Sequence, residues 1–426
     1  MPSSPSPRTR AGAAAAQAEK PSPLRQLRAS DLRGVARLAT QATTSISRVA
    51  EGVHQSVLGS LGLPGGAQPG QTRGLTGLVY QSIRGVTRLV DAGLQVGLAR
   101  LEPFFTPTGP GAEGHWEREA VLAALNGVMG DRLQQDNNPL CTRMGFYQRG
   151  LPLDVHALGR SGTATGKLLV LVHGLCMNDL QWQHEGHDHG TYLAQALGYT
   201  PVYLRYNTGQ HISINGAELS ALLESLVAAW PVPVTELAVL AHSMGGLVAR
   251  SACQHAASNP AASGWLPLLR HLVCLGTPHH GAPLERAGHW VDVLLGSTPY
   301  SRPFARLAQL RSAGITDLRY GHVLDADWQG RDRFRTSPDQ RTPVPLPAGV
   351  ACYAVAATVA ARRSPVAERL VGDGLVPLRS ALGIHDDGLR TLGFAKERQA
   401  VFYRLGHLAL LGDEAVAGQL AQWMRA

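Results

Sequence analysis

Ser243 stands in the run Ala241-His242-Ser243-Met244-Gly245-Gly246, directly after the apolar stretch Leu237-Ala-Val-Leu-Ala. A serine with small residues two places to either side suits a sharp strand-to-helix turn. Such a turn pushes the hydroxyl out at the top of a sheet, where it can attack an acyl carbonyl. In a chain with 48 glycines and many alanines the pattern alone turns up about once by chance. Its weight comes from context: an apolar strand before it and a helical pattern after it. The bland alternative is a helix N-cap serine.

Other runs could also carry chemistry. Lys167-Leu-Leu-Val-Leu-Val leads into His173-Gly174, which alone reads as a turn after a strand. Gln183-His-Glu-Gly-His-Asp-His-Gly190 invites a metal, but His187 and His189 would diverge on a helix and no further ligands are spaced to complete a site. A loop that caps the following helix is expected there instead, and no metal. Asn207–Asn215 reads either as a substrate contact or as a helix-starting loop. Cys141, Cys176, Cys253, Cys274 and Cys352 have no CxxC spacing and are expected as reduced, mostly buried thiols, which favours the cytoplasm.

These residues need elements to hold them. From residue 116 onward, apolar runs alternate with helical patterns. A helix over Glu117–Leu133 and a short hairpin near Met144–Val155 lead in. Strands are expected at Lys167–His173, Val202–Tyr206, Leu237–His242 and His271–Gly276, and helices at Gly190–Leu197, Ile214–Trp230 and Gly245–Ala257. This alternation predicts a mostly parallel sheet with helices on both faces, working at the carboxyl ends of its strands. Residues 282–345 break the pattern and are expected to form a cap insertion, with an ungated helical excursion as the alternative.

The amino-terminal quarter is different. Residues 1–26 are rich in Pro, Ser, Ala and Arg, a composition expected to stay disordered. Residues 27–110 form a helical extension with two broken apolar stripes, one from Leu32 to Val57 and one from Leu75 to Val90. Leu63–Gly70 is the turn between them, and Pro103–Gly114 the linker. Residues 1–110 hold twelve Lys/Arg against five Asp/Glu, a surplus of seven within a chain net of +8. The extension therefore reads as a helical hairpin packed on the body, as a basic amphipathic surface for a membrane, droplet or granule, or, since the first forty residues are Arg-rich and acid-poor, as a cleaved targeting segment. No aromatic interleaving supports nucleic-acid binding. No apolar run is long enough to span a bilayer, and no secretory-type apolar core opens the chain.

AHSMGG after an apolar strand resembles the nucleophile turn of bacterial lipases in the α/β-hydrolase superfamily, with Ala241 where most members carry glycine. His173-Gly174, Thr277-Pro-His-His-Gly-Ala-Pro283 and Gly372-Asp373-Gly374-Leu375-Val376-Pro377 resemble the HG, GTPHxG and GDGLVP segments of lipases and related deacylases, including the GPI-inositol deacylase family. The resemblance covers about residues 165 to 426 and implies an α/β-hydrolase domain over 116–426. It implies a Ser243–Asp373–His407 triad, with the Leu175 and Met244 amides as the oxyanion hole. His407 follows the apolar run Gln399–Arg404 and precedes a final helix over Asp413–Met424. Its competitor His385, like Asp386 and Asp387, sits in a polar turn. His173, His242, His279 and His280 flank the motifs and are candidates for substrate contact. The implied activity is cofactor-free hydrolysis of lipid-like esters. A phospholipase or GPI-type deacylase, an acyltransferase, and a non-catalytic lipid- or granule-binding protein are the alternatives.

Overall fold

The computed structural model describes residues 30–38, 116–282, 311–333, 339–361 and 372–425. In chain order the elements are α1 (30–38), α2 (Trp116–Gln135), β1 (Gly145–Gln148), β2 (Leu151–Pro152), α3 (Val155–Ser161), β3 (Lys167–Val172), α4 (His189–Leu197), β4 (Thr200–Arg205), α5 (Ile212–Ala229), β5 (Glu236–His242), α6 (Met244–Ser258), β6 (Leu269–Leu275), α7 (Ala313–Tyr320), β7 (Ala351–Thr358), α8 (Leu378–Ala381), β8 (Gln399–Tyr403) and α9 (Glu414–Trp423). The strands form one sheet in the order β2-β1-β4-β3-β5-β6-β7-β8. Every pair from β4 to β8 is parallel, and the β1–β2 hairpin closes one edge antiparallel.

Parallel strands covered on both faces must be apolar at every position, and here each alternate residue feeds a different layer. Leu168, Val170 and Val172 of β3 join the core under α5 and α6. Leu169 and Leu171 join the opposite core, against α4 and α9. β5 splits the same way: Leu237, Val239 and Ala241 to one side, Ala238 and Leu240 to the other. α5 is long and apolar enough by composition to cross a membrane. In this fold Leu219, Leu223 and Leu226 of α5 lie in the first core layer.

β7 was not among the expected strands. Ala351-Cys-Tyr-Ala-Val-Ala-Ala-Thr358 is poor in the branched residues that signal a strand. Its small side chains are nonetheless fully enclosed, with Ala354 and Ala356 facing one core layer and Val355 and Ala357 the other.

α2 is clamped to the sheet through charge. Arg205 at the end of β4 bonds Asp179 at 2.5 Å and Glu119 at 2.6 Å, and stacks over the Tyr147 ring at 4.0 Å. Arg118 links Glu119 to Asp31 of α1 through a two-pronged ion pair with both contacts at 2.6 Å. Asn138 Nδ2 donates to the Gly34 carbonyl of α1 at 3.1 Å, so α1 lies on the body of the fold. The remainder of the expected extension, with the rest of the first apolar stripe and all of the second, falls outside the described residues.

The expected cap is described only in part; residues 283–310 and 334–338 lie outside. Residues 311–333 are docked rather than projecting. Ser312 Oγ donates to Gly127 O at 2.6 Å, Gly314 N to Gly209 O at 3.1 Å, and Arg333 pairs with Asp131 at 2.6 Å.

Candidate active site

β5 ends at His242, and Ser243 turns the chain into α6 with φ 56° and ψ −124°. A non-glycine residue in this region carries a strain of about 1–3 kcal/mol and persists only where its surroundings fix it. Here the Ser243 amide donates to Leu275 O at 2.8 Å, tying the turn to the end of β6. The small residues of the motif have a direct steric cause. A Cβ on Gly245 would lie 2.3 Å from Val172 O, so only glycine lets α6 approach β3 this closely.

The expected acid and base, Asp373 and His407, come from loops far along the chain. Asp373 accepts from the Leu375 and Val376 amides on Oδ1, at 3.0 and 2.7 Å. Its Oδ2 accepts from His407 Nδ1 at 2.7 Å, and its carbonyl accepts the His407 amide at 3.1 Å. Both side chains are about 1% exposed. With Nδ1 protonated and held, Nε2 is left as the basic atom of the ring. Gly276, directly after Leu275, bridges the two halves: at φ 56° its hydrogen faces Asp373 Oδ2 and His407 Cε1, each 3.2 Å from where a Cβ would stand. Ser243 Oγ is buried and makes no hydrogen bond among the described residues.

Gly174 brings the turn after β3 against the serine. A Cβ there would meet Ser243 Cβ at 3.0 Å and His242 Nδ1 at 3.2 Å. The next amide is that of Leu175. Met244 opens α6, so its amide has no acceptor one turn back. The Cys176 amide is already held by Thr208 Oγ1 at 3.1 Å, which fixes the turn from the Asn207–Asn215 loop. That loop is tied inward: Asn207 donates to Gly130 O, and Asn215 donates to Asn207 O.

The four flanking histidines divide into two pairs. His173 stacks on Tyr206 at 4.5 Å and donates Nδ1–H to Gly174 O at 2.9 Å, and burial pulls its pKa down to about 3. His242 donates Nε2–H to His407 O at 3.1 Å, with its ring 4.7 Å from that of His407 and its pKa well below the ordinary value through burial. Both rings are neutral and brace the loops of the site through these hydrogen bonds. His279 and His280 instead line a separate cavity with Arg250. His385 packs edge-on against His280 at 4.9 Å and Asp386 pairs with Arg379, so neither joins Asp373 and His407.

In the Gln183–Gly190 loop, Asp188 caps α4 by accepting from Thr191 N at 2.6 Å, as expected. His187 and His189 share a hydrogen bond at 2.9 Å, and His189 Nε2 donates to Leu410 O at 2.8 Å, so these nitrogens hold protein groups. All five cysteines are free and four are buried; burial pushes Cys176, Cys274 and Cys352 up to about 12. Arg250, Thr208 and Tyr206 were missed by sequence reasoning. Only Arg250 offered a signal, being a lone cation on the otherwise uncharged first three turns of the helix after Ser243.

A mostly parallel sheet in this order, with a strained serine between β5 and α6 and a His–Asp pair on the loops after β7 and β8, defines an α/β-hydrolase fold. Residues 163–341 match the family model described as the PGAP1-like alpha/beta domain. No curated protein matches the chain. Among solved structures, a Bacillus licheniformis lipase in mature form aligns at 18% identity over 61% of this chain and 91% of its own, with a TM-score of 0.40. A Pyrococcus furiosus esterase aligns at 13% over 62% and 83%, with a TM-score of 0.36. A Vigna radiata epoxide hydrolase aligns at 14% over 62% and 92%, also at 0.36. At such scores the fold assignment rests on the sheet and the turns, not on these alignments.

Proposed function

We propose that the protein is a serine hydrolase of carboxylic esters, with lipid-like esters as its substrate class and Ser243, His407 and Asp373 as its triad. The observation that carries this reading is the buried 2.7 Å His407–Asp373 pair beside a serine held at positive φ. In the reaction, His407 Nε2 takes the proton as Ser243 Oγ bonds to the ester carbonyl carbon. The amides of Leu175 and Met244 receive the oxyanion, donors of a kind that contribute about 3 kcal/mol each at the transition state. Collapse expels the alcohol with the proton from His407 and leaves an acyl-serine. Water, deprotonated by His407, then releases the acid and restores Ser243. The reacting groups of this cycle are the chain's own residues, the ester and water, and it requires no cofactor.

The same reading puts the enzyme in the cytoplasm, meeting a membrane, droplet or granule surface through residues 27–110, and treats residues 282–345 as a cap whose apolar side chains receive the acyl chain. Hydrolysis of p-nitrophenyl esters of increasing chain length tests the activity. Turnover that Ser243→Ala abolishes supports it, and a preference for longer chains supports the lipid class. A folded chain inert toward the whole series, with and without detergent, contradicts it. Product esters formed when a second alcohol is added would move the reading to acyl transfer.

A further inference from the structure

On the α6 side of the sheet, apart from the Ser243 turn, lies a cavity of about 140 Å³ whose walls carry three guanidinium groups, from Arg250, Arg341 and Arg390, and the imidazoles of His279 and His280. Arg250 is 4% exposed. It donates to Val344 O at 2.7 Å and reaches His279 Nδ1 at 3.4 Å. No carboxylate among the described residues pairs with it, and its Nε–H has no acceptor there. Because His279 Nδ1 accepts from Arg250, the proton of this neutral ring is on Nε2, which is buried and also lacks an acceptor among the described residues. Two buried donors, on residues that line one cavity, have no acceptor among the described residues.

The neighbouring carboxylates are already engaged. Asp327, also on the wall, accepts three backbone amides, from Val323, Leu324 and Thr342. Asp339 is shared between Arg341 and Arg390, and Asp387 pairs with Arg390 at 3.3 Å and accepts the Leu389 amide; Arg341 also donates to His279 O and Gly321 O, and Arg390 to Arg341 O. Burial lowers Arg250 to about 10, so it is still a cation at neutral pH. Guanidinium groups arriving from α6 and from two loops match the several oxygens of a tetrahedral oxyanion, which can accept from each of them at once.

We propose that this cavity binds a phosphate-class oxyanion, with Arg250 and His279 at its base and Arg341 and Arg390 as its outer clamp. Arg250 lies on the same helix that Ser243 opens, and His279 follows the Gly276 turn against His407, so a bound anion would brace both halves of the site.

Isothermal titration of the full chain with inorganic phosphate, at constant ionic strength against chloride, tests this. The expected result is saturable one-site binding that weakens about tenfold in Arg390→Gln and again in Arg341→Gln. Arg250→Gln should abolish it, but that variant can fail to fold, so the clamp variants carry the test. Ser243→Ala should bind phosphate unchanged. Absence of saturable binding, binding in both clamp variants as tight as in the unsubstituted chain, or loss of binding in Ser243→Ala, which would put the ion at the oxyanion hole, would each overturn the proposal.

Discussion

The two halves of the candidate site are built by different physics. The half around Ser243 is backbone: β5, a strained turn, a helix start, a Gly245 contact that admits no side chain and a tight Gly174 contact. The acid–base half is side-chain hydrogen bonding between residues 34 positions apart, on loops that meet only because β7 and β8 pair. A backbone device is local in sequence, so its residues are contiguous. A hydrogen-bonded pair is assembled by tertiary structure, so its members are scattered.

Sharp tests of that difference begin with the reacting groups. Ser243→Ala or His407→Ala is expected to lower kcat for ester hydrolysis by on the order of 10⁵ to 10⁶, with residual turnover from the oxyanion amides. Asp373→Asn is expected to cost about 10⁴, because an amide in that place favours the wrong tautomer of His407. Steady-state kinetics on one soluble ester reads all three. A smaller loss for Asp373→Asn than for either neighbour is the ordering to look for.

The backbone half should respond to a single methyl group. In Gly174→Ala the new Cβ would meet Ser243 Cβ at 3.0 Å, and a displacement of the serine or the Leu175 amide is expected to lower kcat by about 10². Thermal melting should change little by comparison, since the affected atoms lie at the reacting centre. A large fall in Tm with kcat intact would mean that the contact serves packing alone.

The smallest effect concerns pH and stability. Burial lowers His173 to about 3 and His189 to about 4. The unfolded chain takes up protons near pH 6.5 that the folded rings refuse. Stability is therefore complete above about pH 6.5 and is lost as pH falls toward 4, with each ring adding a slope of up to about 1.4 kcal/mol per pH unit. Urea unfolding at pH 7 and pH 5 should show this fall, and His189→Gln should make it shallower. An unchanged slope in that variant would remove His189 from the explanation.

The same division explains what could be read from the chain. The Ser243 turn, the strand before it and the helix after it were legible because six contiguous residues encode them. The Asp373 loop was legible through its own short run, whose Leu375 and Val376 amides turn back onto the carboxylate. β7 was not, because alanines suited to a sheet buried on both faces resemble those of a helix. The support of His173 by Tyr206, and of the Leu175 turn by Thr208, joins residues more than thirty positions apart and leaves no periodic signal.

Fluorophosphonate labelling of the folded protein, with the modified peptide mapped, tests the central claim most directly. Attachment at Ser243 that disappears in His407→Ala is the expected result, since only a serine with its base in place reacts readily. A folded chain that stays unlabelled with detergent or lipid present, or one labelled elsewhere, would contradict the assignment of Ser243 as nucleophile.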